Sequence, residues 1–214
     1  MSHLTIIVAA TKANGIGQNS RLPWRLTREM KYFAKVTSTA PEGQSNAVIM
    51  GRNTWESIPQ KYRPLPNRIN IVTSRNTNYR VQPSSESNVY LHHDFASAIG
   101  RLTGMSSEGK PIHRTFVIGG QSLYTESLAL SATSSLAFVD RILLTRIISP
   151  SFEECDVFMP DFLGIEGGAD GKGEGKWGRA SHNDLETWLG FEVPEGEQEE
   201  GGIKYEYQMW IWKP

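Results

Sequence analysis

Short runs of apolar and β-branched residues recur along the chain, and most are followed by a turn and then by a helical pattern. Because these runs are almost continuously apolar, they predict strands that are buried on both faces, as in a mostly parallel sheet. The predicted strands cover residues 4–10, 46–51, 68–74, 88–92, 115–120 and 141–147. The predicted helices cover residues 26–37, 53–58, 94–103 and 121–130. This alternation favours an α/β fold with a mostly parallel central sheet flanked by helices.

The end of the chain has a different pattern. Residues 187–193 and 203–213 both predict strands, which we expect to pair as a C-terminal antiparallel hairpin. Residues 164–178 are rich in Gly, Asp, Glu and Lys, a composition that cannot form a core, and residues 194–202 form a second polar connection. We therefore predict a single domain over residues 1–214 with a polar surface insertion at about 164–178.

Composition and charge exclude several classes of protein. A hydrophobic content of 38% and a net charge of −1 show no bias toward nucleic acid or an anionic membrane surface. No apolar run is long enough to span a bilayer, and the N-terminus lacks the basic segment of a secretory signal. The single cysteine, Cys155, excludes an internal disulfide and fits a reducing compartment, and the five histidines show no metal-ligand spacing. We expect a cytoplasmic monomer that binds no metal.

One acidic residue of the first predicted helix lies among apolar positions. At roughly 100° per residue, Glu29 projects between Phe33 and Val36. That apolar side holds Met30, Phe33, Ala34 and Val36. Such a carboxylate can extend to the rim of the core or pair with an arginine. It can also line an apolar pocket beside Ile7, Met30, Phe33 and Ile58, where a cationic or strongly hydrogen-bonding ligand would offset its desolvation.

Three predicted strand ends carry residues that suit phosphate groups, at 51–54, 73–75 and 119–122. Two of them lead into helices, whose free N–H groups favour anions, and two carry an arginine. Ligands of open α/β sheets bind at the carboxyl ends of strands, where all three segments lie. None matches the dinucleotide fingerprint or the phosphate loop of nucleotide-binding proteins. Together they indicate a nucleotide cofactor, either a mononucleotide or a dinucleotide.

The chain resembles the dihydrofolate reductase family in several motifs that occur in the family's order. These motifs are "IVAAT" followed by "NGIGQNSRLPW", then "EMKYF", "VIMGRNTWESIP", "RPLPNRINIVTSR", "FVIGGQSLY", "LLTRI" and "GGIKYEYQMW". They cover most of the chain outside the polar insertion, and the long loops resemble the larger eukaryotic form. The resemblance implies NADPH-dependent reduction of 7,8-dihydrofolate to 5,6,7,8-tetrahydrofolate by a stand-alone enzyme that antifolates inhibit. The hydride would go to pterin C6 and a proton to N5.

The resemblance also implies the roles of the residues around the substrate. Glu29 would bind pterin N3 and the 2-amino group through two parallel hydrogen bonds. Thr145 would join the same network, and Trp24 would hold an ordered water beside it. Arg68 would bind the α-carboxylate of the glutamate tail. The remaining substrate contacts fall on Ile7, Val8, Met30, Phe33, Ile58, Leu65 and Ile118.

On the cofactor side, the resemblance implies three groups of residues. Ala9, Ile16 and Gly17 would line the nicotinamide, and residues 10–24 would close over it as a loop. The pyrophosphate would be held by Gly51, Arg52, Asn53, Thr54, Gly119, Gly120, Gln121, Ser122, Leu123 and Tyr124. The strand end with Thr73, Ser74 and Arg75 would recognise the 2′-phosphate of NADPH, with His93 as a candidate helper.

Two departures from the family pattern qualify these expectations. Met30 stands where vertebrate forms commonly have an aromatic residue, which implies altered inhibitor preference with turnover retained. The segment "PWRLTRE" is one residue shorter than the vertebrate pattern, which changes the loop near Trp24.

Two other functions stay open at this point. A pyrimidine reductase of riboflavin biosynthesis shares the fold and an NADPH site, but it would not need Glu29 or Arg68. A non-catalytic nucleotide-binding module would bind its ligand without turnover.

Overall fold

The computed structural model describes residues 2–81, 88–107, 111–130, 134, 136–164 and 176–213. The strands are β1 (Ser2–Thr11), β2 (Gly15–Gly17), β3 (Ser45–Gly51), β4 (Arg68–Thr73), β5 (Val89–His92), β6 (Ile112–Val117), β7 (Ala137–Ser149), β8 (Val157–Phe158), β9 (Lys176–Arg179), β10 (Gln198–Glu200) and β11 (Ile203–Lys213). The helices are α1 (Thr27–Ser38), α2 (Arg52–Ser57), α3 (Phe95–Ser107), α4 (Gln121–Leu128) and α5 (His182–Leu189). A 3₁₀ turn spans Gln60–Tyr62.

The described strands form one large sheet and one small one. The large sheet has the order β10-β11-β7-β1-β6-β3-β4-β5, and β9 also pairs with β11. Six neighbouring strands, from β5 to β7, run parallel, whereas β11 is antiparallel to β7, β9 and β10. The small sheet pairs β2 with β8. The predicted fold class is confirmed, and a C-terminal antiparallel hairpin is present, although its first strand differs from the predicted one.

The core lies on both faces of the large sheet. One face packs α3 and α4 against side chains such as Ile6 and Ile49. The other face packs α1, α2 and α5 against side chains such as Ile7 and Val48. The apolar runs are continuous because successive strand residues point to opposite faces and both faces are covered. Among the described helices, none is long and apolar enough to cross a membrane.

The predicted strand at residues 187–193 is wrong. The segment begins inside α5 and continues as irregular chain after Leu189. A capping box starts this helix, because the Ser181 hydroxyl accepts from the Asp184 N–H and the Asp184 carboxylate accepts from the Ser181 N–H. Gly190 ends it in the left-handed conformation at φ +78°. The hairpin partner of β11 is instead β10, which lies in the predicted polar connection.

The predicted polar insertion at 164–178 falls mostly outside the described residues, because 165–175 are not among them. Its last three residues, 176–178, belong to β9 and pair with β11. The ring of Trp177 packs edge-on against Trp212, with 5.6 Å between the centroids. The chain therefore rejoins the sheet earlier than its polar composition predicts.

The buried face of α1 differs from the predicted one at two positions. The buried residues are Glu29, Tyr32, Val36 and Thr37. Met30 is 49% exposed and Ala34 is also exposed, so placing them on the buried side was wrong. Glu29, Tyr32 and Val36 have the i, i+3, i+7 spacing of a helix face that packs on the sheet. Met30 is rotated about 100° from Glu29 around the helix axis, so it lies outside that face.

Candidate active site

Glu29 lies in the core at the contact between α1 and β7. Glu29 is only 5% exposed. The hydroxyl of Thr145 donates a 3.2 Å hydrogen bond to Oε1 of Glu29. Thr145 is itself buried, on the strand next to β1. The predicted pairing of these two residues is therefore present in the geometry. A carboxylate can accept about four hydrogen bonds, so one hydroxyl leaves most of its capacity unused.

Burial changes the protonation of this acid. Desolvation raises the pKa of Glu29 from 4.5 to about 7, the Thr145 hydrogen bond opposes that shift, and the charge of Glu200 adds to it. The raised pKa reflects a carboxylate that has lost water without gaining an ion pair with any described residue. A site with such a group favours a ligand that can donate two hydrogen bonds to it or share a proton with it.

The surroundings of Glu29 are apolar and aromatic. Trp24 is 5% exposed and its ring packs edge-on against Phe152 at a centroid distance of 5.3 Å. The indole Nε1 of Trp24 is buried and has no hydrogen-bond partner among the described residues. A buried N–H without a partner is expensive, so this position suits a water or a ligand acceptor. It agrees with the predicted water beside Trp24.

Most of the predicted pterin and benzoyl contacts share one face of the sheet. Ile7, Leu65 and Ile118 are buried in the same apolar cluster as Trp24, and Phe33 and Ile58 pack against it half-buried. Val8 is different, because its side chain lies in the cluster on the opposite face. Only the backbone of Val8 is available to a ligand on the Glu29 face. Met30 points outward from α1, so a contact with substrate would require its side chain to reach around the helix.

Arg68 is buried at the start of β4, and two hydrogen bonds hold its guanidinium group in place. Its Nη1 donates a 2.6 Å hydrogen bond to Thr37 Oγ1, and its Nε donates to the Pro66 carbonyl oxygen at 2.9 Å. Thr37 in turn donates to the Phe33 carbonyl oxygen at 2.7 Å. Burial lowers the pKa of Arg68 to about 10, which leaves the guanidinium charged at neutral pH. No carboxylate of the described residues forms an ion pair with it, so its charge is available to an acidic ligand.

Two helices begin side by side at the carboxyl ends of neighbouring strands. Gly51 precedes α2 and Gly120 precedes α4, and neither helix start receives a hydrogen bond from a side chain at its cap position. The Gly51 N–H donates to the Gly119 carbonyl oxygen at 2.7 Å, which ties the two turns together. The unused N–H groups of two helix starts fit the negative charge of a pyrophosphate.

The turn between β6 and α4 requires glycine. Gly119 has φ +116°, and an added Cβ would lie 3.2 Å from Tyr124 Oη and 3.3 Å from Thr54 Oγ1. Any side chain here would be strained and would crowd the two helix starts. Tyr124 is buried and donates from its hydroxyl to the Ile7 carbonyl oxygen at 3.2 Å. Leu123 is buried in the core cluster of the α3 and α4 face, so only its backbone can face a cofactor.

The remaining cofactor candidates lie at the carboxyl ends of β3 and β4, and they differ in exposure. Arg52 and Asn53 begin α2, with 3.4 Å between Arg52 Nη2 and Asn53 Oδ1. Thr73 and Ser74 are buried at the end of β4, and the side chain of Arg75 is exposed beside them.

His93 lies next to this strand end. Its ring Nδ1 is 3.4 Å from the carbonyl oxygen of Ser74. The structure therefore brings a hydroxyl, a guanidinium and an imidazole to one strand end, an arrangement that suits a phosphate monoester.

The predicted nicotinamide loop is anchored in a way that the sequence did not predict. Gly15 and Gly17 lie in β2, which pairs with β8. At Gly15 an added Cβ would come within 2.6 Å of Cys155 Sγ, so the two segments approach closely. Ile16 packs half-buried against the core, and Ala9 lies on the Glu29 face of β1. The middle of the predicted loop is therefore paired with β8.

Sequence reasoning missed several groups around Glu29. Tyr32 is buried on the same helix face, and its ring lies 4.2 Å from that of Tyr207. Tyr207 is the cross-strand partner of Thr145, and Phe152 packs against Trp24. Thr37 holds Arg68. Helical spacing from Glu29 could have indicated Tyr32, whereas the other three contacts join segments that are far apart in the chain.

Replacing Glu29 with Gln should stabilise the ligand-free protein more at pH 8 than at pH 5. A carboxyl with a pKa of 4.5 when unfolded and about 7 when folded binds more protons in the folded state. Its contribution to stability therefore falls as the pH rises from about 4.5 to about 7. Above that range the cost is about 3 kcal/mol at 1.36 kcal/mol per pKa unit. The uncharged amide of the variant carries no such cost.

Urea unfolding of both proteins at the two pH values measures this difference. Glu42→Gln, which removes an exposed carboxylate away from the site, is the matched control for the substitution itself. A Glu29→Gln effect that is independent of pH would contradict the raised pKa.

Comparison with known proteins agrees with this geometry. The family model described as dihydrofolate reductase matches residues 3–165. A dihydrofolate reductase of Cryptococcus neoformans var. neoformans is 42% identical, covering 97% of this chain and 94% of that protein. One from Pneumocystis carinii is 40% identical and covers 97% and 95%. The solved Schistosoma mansoni dihydrofolate reductase superposes with a TM-score of 0.72 at 31% identity and covers 98% of both chains. The chain therefore belongs to the dihydrofolate reductase family.

Proposed function

We propose that this protein reduces 7,8-dihydrofolate to 5,6,7,8-tetrahydrofolate with NADPH. The observation that carries the proposal is the buried carboxylate of Glu29, which one threonine hydroxyl holds within an aromatic and aliphatic wall. The pterin ring has the chemistry that completes such a site, because its N3–H and 2-amino group lie side by side and can donate to both carboxylate oxygens. The named activity of the relatives in fungi supports the same reaction.

The residues around Glu29 orient the substrate and exclude water. Glu29 and Thr145 would fix the rotation of the pterin in its plane, while Ile7, Phe33 and Ile118 would cover its faces. Such alignment is the main contribution that a protein can make to hydride transfer. We expect Glu29 to polarise the ring rather than to reach N5, and the proton to arrive through solvent near the unpartnered Trp24 Nε1.

Arg68 would bind the α-carboxylate of the substrate's glutamate tail. Its guanidinium is buried, charged and held by Thr37 and the Pro66 carbonyl oxygen, so little freedom would be lost on binding. This feature favours a folate over the ribosylated pyrimidine of the riboflavin pathway, which has no such carboxylate. Glu29 favours the same choice. A module that only binds nucleotides would need neither group.

The family uses a nicotinamide cofactor, and we propose that this chain takes NADPH. When bound, the cofactor supplies the hydride. The uncapped starts of α2 and α4 would hold its pyrophosphate, with Gly51–Thr54 and Gly119–Tyr124 as the surrounding chain. Ser74 and Arg75, with His93 nearby, would bind the 2′-phosphate, which NADH lacks.

We also propose that residues 1–214 act as a single reductase domain, as a monomer in the cytoplasm. The continuity of the large sheet from β5 to β10 supports the single domain. The single cysteine fits the reducing conditions of the cytoplasm.

Glu29→Gln should lower turnover of dihydrofolate at neutral pH by roughly a hundredfold or more, because the pterin loses the charge that orients and polarises it. NADPH binding should be nearly unchanged, since the cofactor candidates lie at the other strand ends. Turnover is measured as the loss of NADPH absorbance, and NADPH binding as quenching of tryptophan fluorescence. A 2,4-diaminopteridine should stop the wild-type reaction and bind poorly to the variant.

Glu42→Gln is the control for a neutralised acid, and it should match wild type in turnover and binding. Loss of NADPH affinity in Glu29→Gln with intact turnover would contradict the proposed role of Glu29 in binding the pterin. Failure of the folded wild type to oxidise NADPH with dihydrofolate would sink the proposed reaction.

Arg68→Leu should raise the KM for dihydrofolate at least tenfold, because it removes a charge-assisted pair with the tail carboxylate. The KM for 7,8-dihydropteroate, which lacks the glutamate, should change little. The ratio of kcat/KM for the two substrates therefore measures the contact itself. Arg68→Lys, which keeps the charge, should recover part of the ratio. An equal loss for both substrates would mean that Arg68 serves only the fold.

Arg75→Gln should weaken NADPH binding roughly tenfold while NADH binding stays the same, because only NADPH places a phosphate at this strand end. Fluorescence titration with each cofactor gives the two dissociation constants. The exposed Lys61, replaced by Gln, controls for the loss of one positive charge and should leave the preference unchanged. A parallel loss of affinity for both cofactors would place Arg75 outside the 2′-phosphate site.

A further inference from the structure

The first turn of α1 is held from a distant part of the chain. Oε1 of Glu200 accepts a 2.7 Å hydrogen bond from the Thr27 N–H, and Oε2 accepts a 2.9 Å bond from the Arg28 N–H. The cap position of α1 is occupied by Leu26, whose side chain cannot cap a helix. Since the first N–H groups of a helix have no intrahelical acceptor, Glu200 supplies what the local sequence lacks.

The sheet determines how Glu200 reaches α1. Glu200 ends β10, opposite Ile203 of β11. The same strand β11 pairs with β7, where Tyr207 lies opposite Thr145. The C-terminal hairpin of β10 and β11 therefore carries Glu200, which caps α1. It also carries Tyr207, which lies opposite the Thr145 that donates to Glu29. Glu29 is the third residue of the capped helix, so its backbone position depends on that first turn.

Glu200 also acts on Glu29 through its charge. The titratable groups that face Glu29 from the packed elements are Tyr32 of α1, Tyr124 of α4, Tyr205 and Tyr207 of β11, and Glu200. Burial raises the pKa of each tyrosine, so all four are neutral at physiological pH.

Glu200 is therefore the charged member of this set at neutral pH. Burial raises the pKa of the Glu200 carboxyl, but the N–H groups of Arg28 and Thr27 and the Arg28 charge outweigh it and lower the pKa overall. Glu200 thus stays ionised and its charge raises the pKa of Glu29. It also neutralises the positive end of the α1 dipole, which would otherwise favour the ionised form of Glu29.

We propose that Glu200 is a positioning residue for the reductase reaction, which fixes the first turn of α1 and adds its negative charge to the surroundings in which Glu29 meets the pterin. The inference rests on the proposed function. Glu200 is a second carboxylate that acts on the site, 171 positions from Glu29 in the chain. Its charge raises the pKa of Glu29.

The test compares Glu200→Gln with Glu199→Gln. Both remove one negative charge from the same hairpin, but Glu199 is exposed and its side chain does not cap α1. The pH profile of kcat/KM for dihydrofolate, at saturating NADPH, reports ionisations of the enzyme before it binds this substrate. The step in this profile that Glu29→Gln abolishes belongs to Glu29. In Glu200→Gln that step should move to lower pH by roughly half a unit, while in Glu199→Gln it should stay in place.

A second readout does not depend on activity. With carboxyl carbons of Glu labelled by ¹³C, the resonance that disappears in Glu29→Gln gives the titration of Glu29 directly in the ligand-free protein. The same downward shift in Glu200→Gln would support the inference. A destabilised Glu200→Gln protein with an unmoved Glu29 titration would overturn it, because Glu200 would then have a purely structural role. Equal shifts in both hairpin variants would also overturn it.

These outcomes are separable from failure of the proposed function. If the folded wild type does not reduce dihydrofolate, the proposed reaction fails, and with it the catalytic part of the inference. The ¹³C titration then still decides whether Glu200 controls the protonation of Glu29.

Discussion

The hydrogen bond between Thr145 and Glu29 joins a helix to the centre of the sheet and leaves a carboxylate buried among apolar groups. A buried acid with one donor is unfavourable for stability, and its raised pKa of about 7 expresses that cost. The many buried apolar side chains on both faces of the sheet offset this cost. Buried acids with raised pKa values are common at sites where a bound ligand completes their hydrogen bonding.

The rest of the site follows from the direction of the strands. Parallel strands place their carboxyl ends along one edge, and here the ends of β1, β3, β4 and β6 lead to the walls, turns and basic groups of the site. Gly119 lets the starts of α2 and α4 approach each other closely, and the Gly51 N–H bond to its carbonyl oxygen joins them. The Glu29 pocket and the two helix starts then lie at neighbouring strands, which is the arrangement that hydride transfer between two bound molecules requires.

The two arginines that we assign to ligands differ in how the fold presents them. Arg68 is buried and held by Thr37 and a backbone carbonyl, so its direction is set before a ligand arrives. Arg75 is exposed at a strand end, where it adds charge without a fixed direction. The first arrangement suits selection of a single carboxylate, and the second suits attraction of a cofactor phosphate.

The parallel sheet, its main helices and the inward direction of Glu29 can be predicted from the sequence, because they depend on local periodicity and continuous apolar runs. The predicted burial of Met30 was wrong because the residue lies just outside the buried face of α1. The predicted strand at 187–193 was wrong because a capping box and Gly190 favour a helix over the strand that the apolar residues indicate. Three contacts depend on the folded chain: the pairing of β2 with β8, the hydrogen bond of Arg68 to Thr37, and the cap that Glu200 places on α1. Each of these joins segments that no local pattern connects, and their geometry exists only after the strands have taken their order in the sheet.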